Sequence, residues 1–192
     1  VYAAATKWHE LFLQPKGEYA WFYQHMSLCY RKGSFLFLHA GIDDRMAGLL
    51  SHSSWKQLNI KFRELMYENP FDFYYGPVAN IMRTKYRNTD MPLTRGGVKK
   101  IRKQGIRVLV HGHRNLLHGQ RLMLRKGLLN VECDTTLDRN SRKKEGLTGP
   151  GAAVTIIHPK GYILGISNDY PHIKLFDPKD TLPQLRRIQP AA

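Results

Sequence analysis

Two histidines stand beside glycines where the sequence predicts buried strands to end. Residues 35–38 (FLFL) run into His39, and residues 108–112 (VLVHG) run into His113. Short apolar runs of β-branched and aromatic residues predict strands, and ligands of open α/β sheets bind beyond the carboxyl ends of the strands. Imidazoles from two strands that meet at such an end are typical of a metal site assembled by the fold. We therefore expect His39 and His113 to bind one ion together.

The segments that must position these histidines alternate between helix and strand patterns. Apolar residues recur at helical spacing over 54–68, where Ser53 or Ser54 can cap the helix, and Thr94 can cap another helix over 94–104. Alternation of this kind predicts an α/β fold. The other predicted elements are a helix over 3–13, a strand over 128–134, a mobile loop over 138–151 and a hairpin of 152–157 with 162–167.

Three motifs in a fixed order carry a family resemblance. They are His39-Ala40-Gly41, then VHGH at 110–113, then NVECDT at 130–135. Together they resemble the second half of the calcineurin-like metallophosphoesterases, in the branch of the phosphoprotein phosphatases and the diadenosine tetraphosphatase-like enzymes. In that family, H-[AG]-G and G-H-T each give one histidine to a two-metal centre. The resemblance covers roughly residues 34–167 and implies His39 and His113 as metal ligands.

This resemblance implies a fold, a cofactor and a reaction. The family fold is a four-layer αββα sandwich, of which residues 1–176 would form one half, a mixed sheet with flanking helices and a C-terminal β-hairpin; residues 177–192 would be a proline-containing tail. The cofactors would be two divalent metal ions, with manganese first and iron or zinc as alternatives. A hydroxide activated by both metals would hydrolyse phosphate monoesters or diesters. The substrate would be a phosphoprotein or a nucleoside polyphosphate.

Three arginines are candidates for holding the substrate phosphate, because a guanidinium offers paired donors that match phosphate oxygens. Arg83 and Arg87 lie where the resembling family carries a phosphate-contacting arginine. For either one alone, a solvated helix face is the favoured alternative. Arg114 replaces the family's threonine and places a cation beside His113, whereas His111 is expected to form hydrogen bonds within its loop.

The first half of the family pattern is missing from this chain. We find no D-x-H, G-D-x-x-D or G-N-H motif, and the chain begins at Val1. The resemblance therefore predicts the C-terminal part of a larger phosphoesterase whose partner is the N-terminal half of the same domain. Because two histidines are less than half of a binuclear centre, we expect this chain alone to be inactive.

The formal charge of +15 is large and uneven. Residues 1–90 hold 11 Lys or Arg against 8 Asp or Glu, whereas residues 91–192 hold 19 against 7. Such a field concentrates anions, among them phosphorylated substrates, nucleic acid and acidic proteins. An acidic partner segment that balances the charge is an equally weighted interpretation. A second hypothesis is a non-catalytic, phosphoesterase-derived scaffold that binds nucleic acid or an acidic partner with affinity that falls steeply with salt.

The cysteines and the hydropathy bear on the compartment. Cys29 and Cys133 are far apart and form neither a disulfide framework nor a zinc motif, which favours a reducing compartment. No apolar run approaches the roughly 18–20 residues of a membrane span. We therefore expect a cytoplasmic protein without a membrane partner.

Overall fold

The structure is a computed structural model that describes residues 2–188. A π-helix, His9–Leu13, continues the first α-helix. The helices are α1 (Tyr2–Trp8), α2 (Ala20–His25), α3 (Asp44–His52), α4 (Trp55–Glu68), α5 (Pro70–Tyr75), α6 (Pro77–Arg83), α7 (Arg95–Lys103), α8 (Arg139–Lys144) and α9 (Pro178–Ile188). The strands are β1 (Cys29–Lys32), β2 (Phe35–Leu38), β3 (Val108–His111), β4 (Arg121–Arg125), β5 (Leu128–Glu132), β6 (Ala153–Ile157), β7 (Ile163–Ser167) and β8 (Tyr170–Phe176).

Five strands form a mixed sheet in the order β1-β2-β3-β5-β4. The three central strands, β2, β3 and β5, are parallel, and each edge strand is antiparallel to its neighbour. Leu38 is paired with His111, and His111 with Glu132, so the central strands end side by side. The loops that follow them consequently leave the sheet at the same end.

Side chains at alternate positions of the central strands belong to two different apolar clusters, one on each face of the sheet. Leu36, Leu109 and Leu128 face the helices, where they pack with α3, α4, α6 and α7. Val110 and Val131 face the opposite way. Successive side chains of a strand point to opposite faces, so the sheet is buried on both sides. The main helical contributors to the first cluster are Met46, Leu58, Phe62, Ile81 and Ile101.

A second sheet covers the other face of the first. Its three antiparallel strands have the order β6-β7-β8. Ile157, Ile163 and Phe176 pack against the valines of the central strands, together with Leu182 of α9. The described residues therefore form three layers, with helices on one side, the mixed sheet in the middle and the small sheet on the other side.

Side-chain caps fix the helices closest to the sheet. The Ser54 hydroxyl accepts a hydrogen bond from Gln57 N–H while the Gln57 side chain accepts from Ser54 N–H, which is a complete capping box. The Asp43 carboxylate accepts from Met46 N–H at 2.8 Å and starts α3. The Thr94 hydroxyl caps α7 and also donates to Asp44 at 2.7 Å, which joins α7 to α3.

Much of the predicted architecture is confirmed. The α/β class, the mixed sheet, the flanking helices and the hairpin of β6 and β7 are present. The predicted half of a four-layer sandwich is not confirmed, because the described residues form three layers. The predicted mobile loop over 138–151 is wrong where it contains α8. The tail predicted from residue 177 contains α9, and its residues 189–192 lie outside the described part of the chain; the domain division itself stays a prediction.

None of the helices within residues 2–188 is both long enough and apolar enough to cross a membrane. The cytoplasmic location stays a prediction.

Candidate active site

The loops after the three parallel strands are joined by backbone hydrogen bonds. Gly112 N–H donates to His39 O at 2.9 Å, and Cys133 N–H donates to His111 O at 2.8 Å. The strand pairing therefore continues one step beyond the regular sheet. This continuation brings His39, His113 and Asp134 to the same end of the sheet.

The two predicted histidines meet at this end. His39 Nε2 lies 3.3 Å from His113 Nδ1, so one nitrogen donates a hydrogen bond and the other accepts it. The ring centroids are 5.0 Å apart and the ring planes are inclined by 49°. His113 has φ of +64°, a left-handed conformation that is uncommon outside glycine. The structure thus brings the predicted pair together, while its role as a functional site stays a prediction.

Positive groups surround His113. Partial burial lowers the pKa of His113, and electrostatic interactions with Lys85, with His39 and, to a smaller extent, with Arg87 lower it further. The Asp134 carboxylate acts in the opposite direction and raises this pKa. The shift favours a neutral His113 ring that can accept a proton. Lys85 and Arg87 are two cationic side chains that contribute to this shift.

A short turn presents these two cations. The Asp90 carboxylate accepts the N–H of Lys85 at 2.7 Å and the N–H of Arg87 at 3.0 Å. The intervening Tyr86 has φ of +56° and turns its hydroxyl inward, where it accepts the N–H of Ile42 at 3.0 Å. With Tyr86 turned inward, the residues on either side of it stay near the histidines. We call His39, Lys85, Arg87, His113 and Asp134 the strand-end site.

The other two predicted arginines have partners elsewhere. The Arg83 guanidinium donates to Asn80 Oδ1 at 3.2 Å and lies over the Tyr74 ring, 4.9 Å from its centroid. Arg114 directs Nη1 toward Glu132 Oε1 at 3.4 Å. The structure therefore brings Arg87 to the histidines and ties Arg83 and Arg114 to other side chains. Their proposed contact with a phosphate stays a prediction for all three arginines.

A buried carboxylate lies beneath this end of the sheet. Glu132 is fully buried and pairs with Arg121 and Arg125 at 2.5 Å each, in addition to Arg114. Burial, the largest single effect, opposes its charge, but the hydrogen bonds and the positive charges of Arg121 and Arg125 together outweigh burial and lower the pKa of Glu132. The carboxylate therefore stays ionised and orients Arg114, the residue after His113.

His111 is also buried, and it is paired with Glu132 across β3 and β5. Its Nε2 lies 3.1 Å from Asn130 Oδ1 and its Nδ1 lies 3.3 Å from Gly112 O. Burial lowers the pKa of His111. The contact with Gly112 O lies within the loop, as predicted, whereas the contact with Asn130 reaches the neighbouring strand β5.

The strand-end site does not fit a pair of metal ions. In the described range, no group of three or more His, Cys, Asp or Glu side chains is arranged to hold a metal ion. The nearby carboxylates have other partners, since Asp43 accepts from Met46 N–H and Asn80, and Asp134 accepts from Thr136 N–H at 2.9 Å. Two imidazoles with at most one nearby carboxylate are too few donors for two divalent cations. The prediction of two metal ions, with manganese preferred, is wrong for this chain.

Sequence reasoning missed Lys85 and the buried ion pairs of Glu132 with Arg121 and Arg125. A signal for Lys85 was present, because every second residue from Arg83 to Arg87 is basic. Glu132 gave no comparable signal, since its partners Arg121 and Arg125 lie on a strand, β4, that the sequence did not predict.

Three solved structures share this fold, all described as cold-active protein tyrosine phosphatases. A point mutant is 11% identical to the chain with a TM-score of 0.56, and the enzyme of a psychrophilic Shewanella species is 11% identical with a TM-score of 0.51. A further structure is 14% identical with a TM-score of 0.54. The matches cover 79–83% of this chain and 43–46% of the other chains, so this chain spans less than half the length of each.

No protein-family model matches the sequence, and no curated protein matches it either. The assignment to the calcineurin-like metallophosphoesterases is therefore corrected. The motifs around His39, His113 and Asn130 did not produce a match to any family model, and the structural neighbours carry the name protein tyrosine phosphatase. At these identities the likeness establishes the fold alone.

Proposed function

We propose that this chain forms part of a phosphoester hydrolase and that the strand-end site handles the phosphoryl group. The observation that carries the proposal is the hydrogen-bonded pair of His39 and His113 beside Lys85 and Arg87. An exposed imidazole and a half-buried one, with two cations, offer both proton transfer and attraction for an anion. The names of the three structural neighbours, all phosphatases, support the same class of reaction.

The chemistry divides between the cations and the imidazoles. Lys85 and Arg87 hold the phosphate oxygens and neutralise the charge that builds up on them during transfer. His113, neutral because its pKa is lowered, accepts the proton of the attacking water as its oxygen bonds to phosphorus. The bond from phosphorus to the leaving oxygen breaks, and the proton can pass through the hydrogen bond to His39 and on to that oxygen.

The substrate class is a phosphorylated molecule whose phosphate is accessible from solvent, because His39 and Arg87 are exposed. A phosphoprotein and a nucleoside polyphosphate both satisfy this description. We place a phosphotyrosine peptide first, since the structural neighbours are named for that substrate.

Cys133 is a weaker candidate for the reacting group. It packs with the cluster between the two sheets, and its Sγ lies 3.7 Å from Val131 O. Burial raises the pKa of Cys133, so the thiol stays protonated at neutral pH. A thiol nucleophile requires the opposite shift. We therefore assign the proton transfer to the histidines and give Cys133 a packing role.

The first experiment measures binding of inorganic phosphate, because binding does not require that this chain complete a turnover. Isothermal titration calorimetry should show saturable phosphate binding to the parent chain. The affinity should fall about 10- to 100-fold in Arg87→Met and in Lys85→Met, because each variant loses a charge-assisted hydrogen bond. Lys61→Met, on the exposed face of α4, is the matched control and should bind as the parent does. Binding that is absent, or equal in all four proteins, contradicts the proposal.

The second experiment measures hydrolysis of phosphotyrosine peptide, phosphoserine peptide and diadenosine tetraphosphate. His113→Gln should abolish release of phosphate, whereas His52→Gln, an exposed histidine at the end of α3, should not change it. Cys133→Ser distinguishes proton transfer by the histidines from nucleophilic attack by a thiol. The variant should retain activity if the histidines transfer the proton. Loss of turnover in Cys133→Ser with an intact fold would show that our assignment of the reacting group is wrong.

A further inference from the structure

A cavity of about 520 Å³ lies outside the strand-end site. Its walls come from the loop after His113, from β4, from β8 and from the first turn of α9. This volume is within the range of small-molecule sites, which is roughly 300–1,000 Å³. None of the five residues of the strand-end site lines it, so it is a separate feature of the molecule.

The walls of the cavity are largely apolar. Leu116, Leu117 and Leu122 form one part, and the rings of Tyr170 and Phe176 form another. Leu117 is 43% exposed, which is a large fraction for a leucine beside a cavity. An apolar ligand body that covers this side chain would gain the free energy of removing its surface from water.

One cation lines the cavity without a countercharge. Lys174 Nζ donates to the backbone oxygens of His118 and Gln120 and lies 4.8 Å from the centroid of the Tyr170 ring. Among the residues that the structure describes, no carboxylate forms an ion pair with Lys174. Partial burial lowers the pKa of Lys174, so its charge costs free energy where it stands. An anion beside Nζ would relieve that cost.

The other cation of the cavity, Arg121, already has a carboxylate partner. Arg121 donates to Glu132 through Nε at 2.8 Å and through Nη2 at 2.5 Å. His118 has its Nδ1 3.2 Å from Asp169 O. Of the two cations that line the cavity, Lys174 is thus the one that has no carboxylate partner among the described residues.

We propose that this cavity binds an organic anion with an apolar ring or chain and one negatively charged head group, such as a carboxylate or a sulfonate. The apolar body packs against the three leucines and the ring of Phe176, and the head group pairs with Lys174. This binding site goes beyond the proposed phosphoester hydrolysis and does not depend on it.

The experiment titrates the chain with 1-naphthalenesulfonate and records heat and ¹H–¹⁵N chemical shifts. One molecule should bind per chain, with shift changes centred on residues 116–122 and 170–181. Leu117→Asp places a negative charge at the mouth of the cavity and should weaken binding at least tenfold. Leu137→Asp, at a leucine that is 69% exposed elsewhere, is the matched control and should not change binding.

Lys174→Met tests the charge while it keeps the aliphatic stem, and it should also weaken binding at least tenfold. Its control is Lys160→Met, in the exposed turn of the β6–β7 hairpin. Octanoate that displaces the probe would extend the ligand class to chains, and failure to displace it would restrict the class to rings. Unchanged affinity in Leu117→Asp, or equal affinity for the uncharged naphthalene-1-methanol, overturns the proposal.

Discussion

The ring of Tyr86 lies so close to Gly41 that a Cβ on the glycine would stand 2.8 Å from both Cζ and Oη of the ring. The hydroxyl of that ring accepts the N–H of Ile42. Burial raises the pKa of Tyr86 to about 12, so the hydroxyl stays protonated. The glycine two residues after His39 therefore accommodates a tyrosine that supports the turn carrying Lys85 and Arg87.

Gly41→Ala should destabilise the chain by about 1–3 kcal/mol, because the new methyl group must displace the Tyr86 ring. Gly112→Ala is the control, since its Cβ would meet its nearest neighbour, His39 O, at an ordinary 3.6 Å. Urea unfolding followed by circular dichroism measures both. Equal stability of the two variants would show that the Tyr86 contact is not tight.

Lys85→Met should raise the pKa of His113 toward its ordinary value, because a nearby positive charge disfavours the imidazolium. In the parent chain the folded state holds this proton less tightly than the unfolded state. Stability should consequently fall as the pH decreases through the unfolded pKa, roughly 6.5, and this loss should be smaller in the variant. NMR titration of the histidine ring protons measures the pKa, with Lys61→Met as control. An unchanged pKa would place Lys85 too far from the ring to act on it.

Glu132→Gln should cost about 3–5 kcal/mol at neutral pH, because it leaves the guanidiniums of Arg121 and Arg125 without their countercharge. The pKa of Glu132 is lowered in the folded state, so its contribution is present at neutral pH. That contribution is lost as the pH falls below the unfolded value of roughly 4.3 toward the folded pKa. The two proteins should therefore converge in stability at acid pH. Glu68→Gln, at the exposed end of α4, should show neither effect.

Asn59→Leu should cost about 2–4 kcal/mol, since two buried backbone groups lose their partner. The Asn59 side chain accepts the N–H of Cys29 at 3.0 Å and donates to the oxygen of Cys29 at 2.8 Å. Chemical unfolding measures the loss, and hydrogen exchange of the Cys29 amide should accelerate. Asn88→Leu, at an exposed turn, is the control, and a loss of the same size there would contradict the explanation.

The sequence predicts the elements whose signal is local. Residues 54–68 and 94–104 became α4 and α7 because their apolar spacing and their caps, Ser54 and Thr94, are both readable from neighbouring residues. The convergence of His39 and His113 was predictable as well, since parallel strands end at one side of a sheet.

Elements that depend on distant partners were not predictable in this way. Arg121 and Arg125 are charged residues of the kind usually found in solvent, yet they begin and end β4 and bind the buried Glu132. Residues 139–144 are all polar, and α8 is held by the buried pair of Arg142 and Asp169 at 2.8 Å. The family resemblance predicted metal ions at His39 and His113. In the structure, the nearby carboxylates of Asp43 and Asp134 accept hydrogen bonds from backbone or side-chain amide groups, and no group of three or more donors is arranged to hold a metal ion in the described residues.

The parallel pairing of β2 with β3 joins segments that are distant in the chain, and His39 and His113 are 74 positions apart. Such a pairing closes a long loop before its contacts can compensate for the lost chain entropy. Helices such as α4, whose contacts are local, can form earlier. We therefore expect the histidine pair to assemble late, so that refolding chains regain helical circular dichroism before His39 and His113 come together.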